Sequence, residues 1–216
     1  MKKINNKLFI SDFHLYHKNI YLYEYEARLP FFSEKLSLKE LKELFSSDNK
    51  ERIKKFIIDT EFNFLSWLYK EIEKENFQEY IDFWDFFFEP NNKRINEWKN
   101  TRNYTIIKNI FKLLKRKKIK TTLIIWNHDK LKYIDFYKEF FDIIIDYKYE
   151  NWILYSHKPY SEWNNYWLKK DEIWVNYHWH THSNIANEVE IYKNIEYENC
   201  CIDYYLKNQN KKELNK

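Results

Sequence analysis

Apolar residues recur along this chain with two different periods, and the switching between them defines the elements. Residues 7–11 form a short apolar run ending in a polar cluster, the pattern of a buried strand. Residues 37–45 and 53–75 carry apolar positions at helical spacing, the second stretch through Phe56, Ile57, Phe64, Leu65 and Leu68. Residues 80–83 predict a second strand that feeds Trp84 and Asp85, after which Glu89, Pro90, Asn91 and Asn92 read as a loop. A helix follows over 105–114, then a third strand over 121–125. Consecutive strands over 141–147 and 153–155 are joined through Glu150, Asn151 and Trp152. Residues 173–177 predict another strand, residues 201–205 could close a sheet edge, and residues 208–216 form a polar tail. Strands and helices alternate with no internal repeat and no Pro-rich linker. The pattern therefore predicts an α/β domain over residues 1–207, followed by the tail.

The strand ends carry the chemistry. All seven histidines fall at or beside four clusters: His14 with His17, His128, His157, and His178 with His180 and His182. Each cluster follows an apolar, strand-like run, so that the side chains can converge at one edge of a sheet. Any one of them alone carries little information, because a short Asp/His pattern arises easily by chance. In chain order they read Asp12-Phe13-His14, Trp84-Asp85, Trp126-Asn127-His128-Asp129, His157 after Ser156, and Trp179-His180-Thr181-His182.

This series resembles the calcineurin-like metallophosphoesterase superfamily, whose pattern is D-x-H, G-D, G-N-H-[DE], H and G-H-x-H. Weaker similarity in His17-Lys18-Asn19-Ile20 and Arg28-Leu29-Pro30-Phe31 looks like the compact single-domain branch. The resemblance implies a four-layer sandwich, with two central mixed β-sheets flanked by α-helices. It also implies two divalent metal ions: Asp12, His14 and His182 on one, Asn127, His157 and His180 on the other, and Asp85 bridging them. Such nitrogen and oxygen ligands suit Mn, Fe, Zn or Ni, with Mn favoured, and the lack of clustered thiolates argues against a structural zinc site. The implied activity is hydrolysis of a phosphomonoester, phosphodiester or nucleotide bond by a hydroxide bridging the two ions. His128 is the implied catalyst that stabilises or protonates the leaving oxygen. His17 and His178 fit either a supporting hydrogen bond to a ligand or an ordinary polar role, and Asn19 and Arg28 either a phosphate contact or a surface one. Two alternatives have different signatures. A non-catalytic scaffold retaining the fold would have lost ligands, and all seven are present. An amidohydrolase would place H-x-H on its first strand, whereas here it comes last.

Composition changes this picture at one point. Among 216 residues there is no glycine and there are nine tryptophans, where average usage predicts about 15 glycines. Tryptophan stands at the three motif glycines, 84, 126 and 179, and at the second position of what would be an Asn-Gly hairpin, Asn151-Trp152. The Lys-, Asn- and Ile-rich bias is that of an AT-rich gene. Together these point to a gene that uses UGA for glycine and a chain written with UGA as tryptophan. Glycine is then the natural residue at 84, 126, 152 and 179, with 67, 98, 163, 167 and 174 as further positions.

Charge and cysteine usage add only boundaries. The net charge of +4 comes from interspersed charges of both signs, so nucleic acid enters only as a substrate, and the basic run 112–120 reads as a solvated helix face. Cys200 and Cys201 are adjacent and offer no disulfide framework. The first apolar stretch is too short for a signal peptide, and no segment has the apolar length to span a bilayer. The expectation is a cytoplasmic, soluble enzyme with no membrane partner, acting on a phosphoester.

Overall fold

The computed structural model describes residues 2–4, 6–11, 13–83, 86, 87, 90–125, 131–156, 175–178, 196–199 and 206. Strands β1 (Lys2–Ile4) and β2 (Lys7–Ser11) lead into short helices α1 (Ile20–Tyr23) and α2 (Tyr25–Arg28), then α3 (Leu38–Ser46) and the long α4 (Lys50–Lys74). Strand β3 (Glu79–Phe83) is followed by α5 (Asn92–Lys99), α6 (Arg102–Arg116) and β4 (Lys120–Ile124). The short α7 (Ile134–Tyr137) precedes β5 (Ile143–Ile145). Strands β6 (Lys148–Glu150), β7 (Ile153–Tyr155), β8 (Val175–His178) and β9 (Glu196–Asn199) complete the order. The protein is α/β, and among the described residues no helix is long and apolar enough to cross a membrane.

Two sheets result. The first has the order β1-β2-β3-β4-β5, in which β1 is antiparallel to β2 and the remaining pairs are parallel. Because the parallel strands follow one another across the sheet, each right-handed crossover steps in the same direction and lays its helices on the same face. That face is the large core, where Leu8 and Ile10 of β2, Tyr80 of β3 and Leu123 of β4 meet Phe64, Leu65 and Leu68 of α4 and Ile107, Ile110 and Leu114 of α6. Rings fill it: Phe111 and Phe141 meet edge to face at 4.9 Å, and Phe86 packs against Phe140 and Phe141 at 5.3 Å.

The alternate residues of the same strands face the other way, as the two-residue period requires. There the second sheet lies, order β6-β7-β8-β9, with β6 antiparallel and the rest parallel. Phe9 of β2 stacks on Tyr155 of β7 at 5.7 Å. At the start of β3, Glu79 takes Lys148 at 2.8 Å and Lys7 at 3.0 Å, and Glu150 closes the network onto both lysines. Burial opposes the ionisation of Glu79, but the hydrogen bonds from Lys148 and Lys7 outweigh it and hold its carboxyl below the usual range.

Several predicted elements shift. The strand expected over 141–147 is confined to β5, which pairs with β4 in the first sheet; β6, which had no strand prediction, belongs to the second sheet and forms the hairpin with β7. Helix α5 occupies a region with no helical prediction. The edge strand expected at 201–205 and the whole 208–216 tail lie outside the described residues. The hairpin loop Asn151-Trp152 has φ of 50° and 65°, the left-handed pair that a two-residue type I′ turn demands. Trp67 and Trp98 differ. They sit inside α4 and α5, where glycine has no backbone advantage, and Trp98 is fully buried among Phe87, Tyr104 and Phe136. The expectation of glycine at these two positions therefore has no local structural reason.

Candidate functional site

The parallel strands deliver the candidate segments to one edge of each sheet. Asp12 follows the end of β2, Trp84 and Asp85 follow β3, and Asn127 and His128 come soon after β4. In the second sheet, fully buried Ser156 and then His157 follow β7, and β8 ends on His178, two residues before His180. Of the seven expected metal ligands, His14 is described. Asp12, Asp85, Asn127, His157, His180 and His182 lie outside the described residues, as does His128. Among the described residues, no three His, Cys, Asp or Glu side chains gather into a metal-holding group.

The pairing of β2 with β3 resumes beyond the strands. Ser11 pairs with Phe83 at the end of the ladder, and an isolated parallel bridge then joins Leu15 to Phe87 at the same offset. The Leu15 amide donates to the Phe86 carbonyl at 3.2 Å. The described residues that flank the two motifs, Ser11 with Phe83 and Leu15 with Phe87, are thus paired on both sides.

His14 is buried, with 6% of its surface exposed, and its ring centroid lies 5.3 Å from that of His17. Its φ is 47° and that of Tyr16 is 65°. Two side-chain-bearing residues in the left-handed region cost on the order of 1–2 kcal/mol each, and such conformations persist where surrounding contacts over-determine them. Those contacts are present. Phe13 is wedged edge to face between Phe64 and Phe86, each at 5.8 Å. The Tyr16 carbonyl accepts from Arg94 Nη2 at 2.6 Å, its hydroxyl donates to Glu97 at 2.9 Å, and its ring stacks on Phe87. Burial and the Glu97 hydrogen bond push the Tyr16 hydroxyl up to about 12.

The Tyr16 amide donates to Glu61, which is buried in the middle of α4. The same carboxylate accepts from Asn103 Nδ2 at 2.7 Å and from Trp98 Nε1 at 3.3 Å. Burial raises the Glu61 pKa against these hydrogen bonds and against the charge of Arg28, which lower it. Sequence reasoning missed Glu61 and Asn103, although a signal exists. Position 61 falls on the same helical stripe as Ile57, Phe64, Leu65 and Leu68, and a glutamate there needs a buried partner.

The weaker candidates separate. Arg28 is 3% exposed, with its guanidinium 4.8 Å from the Phe64 ring and its charge acting on Glu61, so it is placed as an interior counter-charge. His17 and Asn19 instead line an open cleft with Tyr16, Lys18, Lys50, Lys54 and Arg94. The side chain of His178 lies outside what the structure describes.

No protein-family model matches the chain, and no curated protein matches it. Among solved structures, a protein of unknown function from Aquifex aeolicus is similar with a TM-score of 0.49 and 20% identity, over 96% of this chain and 98% of that one.

Proposed function

We propose that this protein is a metal-dependent phosphoesterase built on a four-layer form of the α/β fold, cytoplasmic, and dependent on two divalent ions, Mn foremost. The observation that supports the reading is the resumed pairing at Leu15 and Phe87, in register with Ser11 and Phe83, between the two stretches of chain that carry the D-x-H and Asp85 motifs in sequence. A buried His14 on a turn fixed by Glu61, Arg94 and Phe13 fits a ligand held in one orientation.

The expected ligands, Asp12, His14, Asp85, Asn127, His157, His180 and His182, are all nitrogen or oxygen donors. They suit hard or borderline divalent ions. When bound, such ions supply an activated water and neutralise charge on the phosphoryl group. The chain itself supplies alignment and proton transfer: Asp85 ties the two halves of the ligand set, and His128 donates a proton to the departing oxygen. His17, beside His14 and on the wall of the cleft, meets the substrate side of the site.

The test compares the chain as written with a form carrying Trp84→Gly, Trp126→Gly, Trp152→Gly and Trp179→Gly, on generic phosphomonoesters and phosphodiesters. Turnover is expected with Mn, is lost with chelator, and falls about 10³-fold in Asp85→Asn, the several kcal/mol that metal-held charge contributes. Absence of metal-dependent turnover in the glycine-restored form would leave the non-catalytic scaffold as the better description.

A further inference from the structure

The cleft beside His17 has a volume of about 580 Å³, within the usual range for small-molecule sites. Its charged walls come from three separate places: Lys18 from the loop after β2, Lys50 and Lys54 from the start of α4, and Arg94 from the first turn of α5. Ile53 and Ile57 supply its apolar side, and none of the described residues lining it is a carboxylate. Among the described residues, Lys18, Lys50 and Lys54 make no ion pair, in contrast to Lys7, Lys74, Lys99 and Lys148, each of which faces a glutamate.

The placement of these cations works against helix stability. A helix N-terminus carries about half a positive charge, so basic residues in its first turns are unfavourable. Yet α4 begins with Lys50, offset only by Glu51 in the same turn, and α5 has no acidic residue in its first turn and places Arg94 there. Two positive helix ends and four cationic side chains therefore share one cavity, a combination that an anion relieves. A second lysine-lined cleft, about 590 Å³, has an ordinary explanation. It includes Lys112 and Lys115 near the C-terminal end of α6, where cations complement the dipole, and Glu139 and Asp142 share its wall.

We infer that the cleft of Lys18, Lys50, Lys54 and Arg94 binds a phosphate of the substrate other than the one cleaved. The substrate class is then a small molecule carrying at least two phosphates, of nucleotide size. This assignment of substrate rests on the phosphoesterase reading. The anion site does not, because it is built from described residues that are not expected metal ligands. His17 joins the two, with its ring beside His14 and its side chain on the cleft wall.

Calorimetric titration of chelator-treated protein with inorganic tripolyphosphate, at about 0.1 M salt to screen diffuse attraction, tests the site without turnover. Saturable binding is expected, weakened about tenfold or more in K50Q/K54Q and changed less than about twofold in K112Q/K115Q. Both pairs lie on exposed helix faces, so folding is not at issue. No saturable binding by the parent protein, or equal losses in the two double variants, overturns the assignment. Lysine-dependent binding without metal-dependent turnover keeps the anion site and removes the phosphoesterase.

Discussion

The Asn151-Trp152 loop offers a measurement in which the usual ranking of glycine and alanine should reverse. Trp152 has φ of 65° and is 46% exposed. Comparing Trp152→Gly with Trp152→Ala removes the indole in both, so whatever the ring contributes cancels, and only the Cβ differs. In the left-handed region that Cβ costs about 1–2 kcal/mol. Glycine gives back about 0.5–1 kcal/mol through the greater freedom of its unfolded chain. The glycine variant should therefore be more stable than the alanine variant by about 0.5–1 kcal/mol. At Trp67, inside α4, the same pair should order the other way, with glycine worse by about 1 kcal/mol. Urea denaturation with equal m-values reads both differences as midpoint shifts. If Trp152→Gly is the less stable of its pair, as at position 67, the hairpin does not hold a left-handed residue at 152. The reason for placing a natural glycine there then disappears with it.

Other outcomes follow from the same contacts. Glu61→Ala leaves the Tyr16 amide, Asn103 and Trp98 without their shared acceptor. It should cost about 2–4 kcal/mol in denaturant titration, since each orphaned buried donor costs about 1–3 kcal/mol; a loss under about 0.5 kcal/mol would contradict the role given to it. Glu79 has a depressed carboxyl pKa, so its contribution is present above the unfolded value near 4.3 and is lost as pH falls through the lower folded value. Thermal stability should decline through that acid window less steeply in Glu79→Gln than in the parent, and identical slopes would remove Glu79 from the account. Intact-mass measurement of the protein from its native source should show a whole number of tryptophan-to-glycine steps, and a mass matching nine tryptophans would end the codon argument.

The legible parts of the fold are those decided locally. Residues 7–11 give β2 with its observed bounds, and the apolar stripe through Phe56 and Leu68 gives α4 to within a few residues. Strand β6 was illegible because allegiance to a sheet is set by which neighbour pairs, and Lys148 and Glu150 have low β propensity of their own, unlike the three isoleucines of β5. Helix α5 escaped because only Ile95 and Trp98 are buried in it, too few to show a period; its start is marked instead by the Asn91 cap. At the site, the order of the candidate ligands can be read directly from the chain. The support beneath them cannot, because Glu61, Asn103 and Arg94 act through partners 37 to 78 positions away. Arg28, for which the sequence offered a phosphate contact or a surface one, is buried against Phe64, and that burial removes the surface alternative.

Glu61 also bears on how the molecule opens. Its three donors belong to the turn after β2, to α5 and to α6, while Glu61 itself lies in α4. One carboxylate therefore links the crossover from β2 to β3 with the crossover from β3 to β4. Neither unit can detach without stranding polar groups of the other in the core, so partial unfolding of one costs nearly as much as unfolding both. The two crossovers behave as a single cooperative unit, and the turn that presents His14 inherits the protection of the two longest helices instead of the looseness of a surface loop.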